Sequence, residues 1–129
     1  MTKQAKELIY KNKKYKEDPK FRLDRKLRSF LNRLCIAKKK GNTIVKSKYL
    51  EILGFTFGDF ISHMELCFLG SKMSWDNYGE WHIDHIIPVS WFQYESIYSP
   101  KFLKCWNLDN LQPLWREDNL HKASRRKNV

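Results

Sequence analysis

Apolar residues recur at steps of three and four through the first half of the chain. Over residues 20–39, Leu23, Leu27, Phe30, Leu31 and Leu34 form one stripe, the period of an amphipathic helix. Pro19 opens that segment and Gly41-Asn42 stops it. A short helix is predicted over 46–53, ended by Gly54, and another from Thr56. Thr56 with Asp59 three residues on has the form of a capping box. Phe60, Met64, Cys67 and Phe68 give that helix its buried side, whereas His63 reads as a surface or boundary histidine. Residues 74–79 (SWDNYG) read as a run of turns.

In the second half the period shortens. Residues 81–87 (WHIDHII) read as a strand whose continuation Pro88 opposes. Residues 111–115 (LQPLW) read as a second strand, which Pro113 confines to an edge or a bulge. Between them Ser99-Pro100 can cap and start a short helix through Cys105. From Arg116 onward the sequence REDNLHKASRRK is polar and helix-compatible. Strand, long excursion, strand and helix, placed after helical material, predict an α+β fold. The five tryptophans, Trp75, Trp81, Trp91, Trp106 and Trp115, are expected in its core.

Charge divides the chain differently. Residues 1–50 carry 17 Lys/Arg against 4 Asp/Glu, a net +13. Residues 51–120 carry 4 against 10, a net −6, and the last nine residues add +4. Basic ends around a mildly acidic middle assign polyanion binding to the ends. Arg22, Arg25 and Arg28 lie off the apolar stripe, and Arg125, Arg126 and Lys127 extend the basic tail. No apolar run is long enough to cross a bilayer, and the N-terminus lacks the apolar core of a signal peptide. Cys35, Cys67 and Cys105 are widely spaced and odd in number, which fits buried reduced thiols in a cytoplasmic compartment.

The chemistry concentrates in residues 79–88 (GEWHIDHIIP) and 109–122 (DNLQPLWREDNLHK). Asp84 and Asn119 offer oxygen donors suited to Mg²⁺ or Mn²⁺. Two protein ligands suffice for Mg²⁺, because waters and phosphate oxygens complete an octahedron. His85 beside Asp84 supplies a base, since an ordinary imidazole titrates near 6.5. On a regular strand the two adjacent side chains diverge, so they share a site only if the strand ends near His85. Arg116, Asn119 and Lys122 fall at three-residue steps, placing two cations for phosphate beside a metal ligand. His82 shares the face of Asp84 by alternation, as a phosphate or ion contact or a supporting group. His121 is the alternative to Asn119 as ligand, at a spacing that fits less well.

These two segments together resemble the HNH branch of the His-Me finger (ββα-metal) endonucleases, and within it the small phage-type members. The resemblance is carried by residues 75–124. It implies two antiparallel strands joined by an extended loop, then a helix, around one divalent ion. It also implies that Asp84 and Asn119 are metal ligands, that His85 is the general base, and that Asn110 supports the loop and orients that base. Expected with it are hydrolysis of DNA, with 5′-phosphate and 3′-hydroxyl ends, in the cytoplasm of a bacterial or phage-infected cell. Residues 1–44 then form a basic helical arm and residues 45–129 the nuclease domain. Many members hold structural zinc with cysteine pairs that this chain lacks, so none is expected here. A homodimer, or a phage or host protein partner, is compatible with one small domain. The competing reading is an HNH-like fold that binds DNA without cutting it, or that cuts only with a partner.

Overall fold

A computed structural model of the chain describes residues 1–127, and their side chains as far as Lys122. Two helices open it: α1 (Lys3–Glu17) and α2 (Pro19–Lys39). Asp18 ends the first and caps the second, its carboxylate accepting from Phe21 N at 3.1 Å. Helix α3 (Lys48–Leu53) starts two residues later than expected because Ser47 serves as its cap. Helix α4 (Phe57–Phe68) carries the capping box: Thr56 Oγ1 accepts from Asp59 N, and Asp59 Oδ2 accepts from Thr56 N.

The strands follow: β1 (Trp81–His85) and, after α5 (Pro100–Trp106), β2 (Leu111–Trp115). They pair antiparallel with Trp81 opposite Trp115 and Asp84 opposite Gln112. A two-stranded ribbon has a free edge on each strand, which is how β2 accommodates Pro113 opposite Ile83. Helix α6 (Arg116–Lys127) continues directly from β2. The chain is therefore α+β, with helices around a small antiparallel ribbon.

One apolar core joins these elements. Leu27, Phe30, Leu31 and Leu34 of α2 meet Phe60 and Met64 of α4, Trp81 of β1, and Phe102 and Trp106 of α5. Each such side chain removed from water contributes about 1.5–3 kcal/mol. Helix α2, from the basic segment before residue 44, thus contributes five buried apolar residues to this core. Helix α1 contributes no buried residue to it.

Two core expectations are corrected. Trp91 is 75% exposed: it closes a 3-10 turn, Val89–Trp91, in which Val89 takes the buried place. Cys67 is exposed as well, because Phe68 takes the inward position against Trp75 and Trp81. Trp81 and Trp106 are fully buried, and Trp75 and Trp115 are partly so.

Burial pushes the Cys35 thiol up to about 12 and the Cys105 thiol to about 11. The thiolate is the reactive form, so both are inert at neutral pH. Iodoacetamide at pH 8 should label the folded protein at Cys67 alone, and all three cysteines in denaturant, as read by peptide mass. Native labelling of Cys35 at the rate of Cys67 would contradict its place in the core.

Candidate functional site

The strand β1 stops at His85, two residues short of expectation, and Asn110 is the reason. Ile86 N donates to the Asn110 carbonyl at 2.8 Å, and Ile87 N donates to Asn110 Oδ1 at 2.8 Å. The Asn110 amide donates in turn to the carbonyls of Cys105 at 2.9 Å and Ile87 at 3.2 Å. A side chain 7% exposed thereby replaces the strand ladder and bends the backbone away after His85. Its position resolves the geometric conflict between Asp84 and His85, which would diverge along an uninterrupted strand.

Asp84 and His85 line one cavity of about 430 Å³, together with His82 of β1, Asn119 of α6, and Arg28 and Asn32 of α2. Asp84, 6% exposed, accepts at Oδ2 from Lys122 Nζ at 2.6 Å and from Gln112 Nε2 at 3.0 Å. The same ammonium donates to the His85 carbonyl at 2.7 Å. Gln112 reaches Asp84 because the register sets them directly opposite.

His85 is 8% exposed and meets Trp106 edge-to-face, with ring centroids 4.4 Å apart. Trp106 is itself fixed: its indole N–H donates to Tyr94 Oη at 2.9 Å, and Tyr94 donates to Asp24 of α2. Burial, and then the bond to Asp24, push the Tyr94 phenol above its ordinary pKa, so it remains a donor. Lys20 completes the bracket, pairing with Asp24 at 3.1 Å and donating to the Val89 carbonyl at 3.2 Å.

The remaining predicted residues separate. Asn110 does not line the cavity. It faces a second cavity with Ile87 and Asn107, and reaches the site only through the backbone it holds. Steps of three residues drift by about 60° each on a helix with 3.6 residues per turn, so Arg116 and Lys122 lie roughly 120° apart. Accordingly Arg116 lines a different cavity, beside Glu80 and Trp115, while Lys122 engages Asp84 instead of an open phosphate position. His82 is exposed, its ring 5.7 Å from that of Tyr78, and His121 is exposed on α6.

The same drift splits the arginine row of α2. Arg22 donates to the carbonyls of Tyr15 and Lys16 at the end of α1. Arg25 lies over the Phe21 ring, 5.7 Å from its centroid. Arg28 turns to the cavity. The side chains of Arg125, Arg126 and Lys127 lie outside the described residues.

Gln112, Asn32 and the Asp24–Tyr94–Trp106 bracket carry no signal in the sequence motifs. His63 is half-buried, the boundary position expected of it, and its Nε2 lies 2.7 Å from the Leu111 carbonyl, tying α4 to the start of β2. Only the strand register could have pointed to Gln112. The others depend on contacts distant in sequence.

Among the described residues no three His, Cys, Asp or Glu side chains converge as a cage for a metal ion. The donors at hand are the Asp84 carboxylate and the Asn119 carboxamide in one cavity. That pair fits a hard divalent ion completed by water and phosphate oxygens. The buried carboxylate already holds a positive charge, that of Lys122. Among the described residues no helix is long and apolar enough to cross a membrane.

Two proteins of Acanthamoeba polyphaga mimivirus, both described as uncharacterized, are similar to this chain. One is 36% identical over 102 residues, spanning 78% of this chain and 41% of the viral protein. The other is 27% identical over 112 residues, spanning 86% and 46%. The chain thus covers less than half the length of either relative. No family model matches it, and no solved structure does.

Asn110 makes four hydrogen bonds at the bend, counting both its carboxamide and its carbonyl. Replacement by alanine removes three of them and leaves their partners unsatisfied. Asn110→Ala should lower the unfolding free energy by roughly 2–4 kcal/mol in urea titration. A loss under 0.5 kcal/mol would show that the bend holds without it.

Proposed function

We propose that this chain is a metal-dependent DNA endonuclease of the HNH type. One observation carries the reading: Asp84, His85 and Asn119, the residues that the family resemblance singles out, line a single cavity although β1 and α6 are far apart in sequence. Two further features support it. The antiparallel ribbon followed by a helix is the element order that the resemblance implies. A strand ending at His85 allows adjacent side chains to serve one site.

In this reading His85 takes the proton of the water that attacks the phosphodiester. Trp106, braced by Tyr94 and Asp24, holds the imidazole against rotation, and Asn110 fixes the backbone on which it stands. Asp84 and Asn119 would hold one Mg²⁺ or Mn²⁺. When bound, that ion neutralises charge on the phosphoryl and leaving oxygens. Lys122 now occupies the Asp84 carboxylate and has to give way to the ion, so its ammonium competes with metal. The basic surface of residues 1–50 holds the phosphate backbone, with affinity that falls steeply as salt rises. One site cuts one strand, so a double-strand break takes a dimer or two successive events.

Supercoiled plasmid incubated with the protein tests the proposal. Nicking is expected with Mg²⁺ or Mn²⁺, none with chelator, and at least a thousandfold less, on the order of a lost general base or more, with His85→Ala. No nicking with either ion would overturn it, as would equal nicking by His85→Ala.

A further inference from the structure

The cations around the candidate site are unequally committed. Lys122 is bound to the Asp84 carboxylate and the His85 carbonyl. Arg116 lines another cavity, Arg22 holds the end of α1, and Arg25 rests on Phe21. Among the described residues that line the cavity of Asp84 and His85, the one lysine or arginine is Arg28. It is exposed, and no hydrogen bond or ion pair engages its guanidinium among those residues. Asn32, one helical turn on, lines the same wall, its Oδ1 accepting from Tyr78 Oη. That bond orients the Asn32 carboxamide and leaves its N–H₂ as the donating group.

From this placement we infer that Arg28, assisted by Asn32, grips the phosphate undergoing reaction, making α2 one wall of the active site. The inference rests on the nuclease reading and adds a group that the sequence pattern does not include. A guanidinium suits the task better than an ammonium. Its planar fork of N–H donors meets two phosphate oxygens at once, and its charge is independent of pH. Phosphoryl transfer concentrates negative charge on those oxygens in the transition state, where a fixed donor has most effect. The position of α2 is secured independently of substrate, by Leu27 and Leu31 in the core on either side of Arg28 and by Asp24 one turn before it. Arg28 is thus presented from a rigid helix.

Single-turnover plasmid cleavage with saturating protein separates chemistry from binding. Arg28→Ala, whose melting curve should match the wild type because the side chain is exposed, is expected to cut roughly a hundredfold more slowly. Its DNA affinity should change by less than about threefold, one contact among many. Arg28→Lys should fall between the two, keeping the charge and losing the fork. Cleavage by Arg28→Ala at the wild-type rate would overturn the inference. So would a defect confined to affinity, which would make Arg28 an ordinary backbone contact.

A second measurement decides the case in which the wild type does not cut. Inorganic phosphate is titrated without metal while the Arg28 Nε–H and His85 imidazole resonances are followed. Saturable shifts of both, with the His85 shift abolished in Arg28→Ala, would uphold the phosphate site while the nuclease reading fell. Absence of shifts in that non-cutting wild type would remove both.

Discussion

A carboxylate almost wholly removed from water has to be matched by positive charge, and that requirement organises this structure. Asp84 sits at the inner end of a two-stranded ribbon and draws in the Lys122 ammonium from α6 and the Gln112 amide from β2. Helix α6 offers little else to hold it, because none of its side chains through Lys122 is buried. The ion pair therefore fastens a polar helix to the strands, and it brings Asn119 to the cavity that Asp84 lines. A buried pair of this kind is a weak source of net stability, since desolvation offsets most of its attraction.

The second constraint is the bend after His85. Asn110 ends the strand ladder by offering its own carbonyl and carboxamide to the next two amides. The bend places the imidazole against Trp106, and the chain Trp106–Tyr94–Asp24 connects it to α2. Helix α2 consequently does three things: it fills the core, braces the histidine and presents Arg28. A helix that is strongly basic by charge lies in the core and lines the cavity by packing.

Local patterns in the sequence were enough to read α2, α3 and α4, both strands and the helix after them, whereas the lysine-rich α1 shows no apolar stripe. Each is specified by residues next to one another: the stripe from Leu23 to Leu34, the Thr56–Asp59 box, the Pro19 and Pro100 starts. The residues of the two motifs fall on the strands and the helix expected of them for the same reason. What was not legible depended on angle or on distance along the chain. Counting threes placed Arg116 with Lys122, and Arg22 with Arg28, whereas the 3.6-residue turn sends each pair apart. The Asp24–Tyr94 bond spans seventy residues and leaves no periodic trace. Strand 81–87 lost its last two residues because Asn110, twenty-three residues beyond Ile87, captures the amides that would have extended it.

Whether the Asp84 carboxylate is a seat for a divalent ion is the point on which the functional account turns. The direct measurement is Mn²⁺ binding followed by electron paramagnetic resonance of the free ion, in the wild type, Asp84→Ala and Lys122→Met. The account predicts one bound ion per chain in the wild type, its loss with Asp84→Ala, and about tenfold tighter binding once the competing ammonium is gone. Mn²⁺ binding that is indifferent to Asp84→Ala would contradict it.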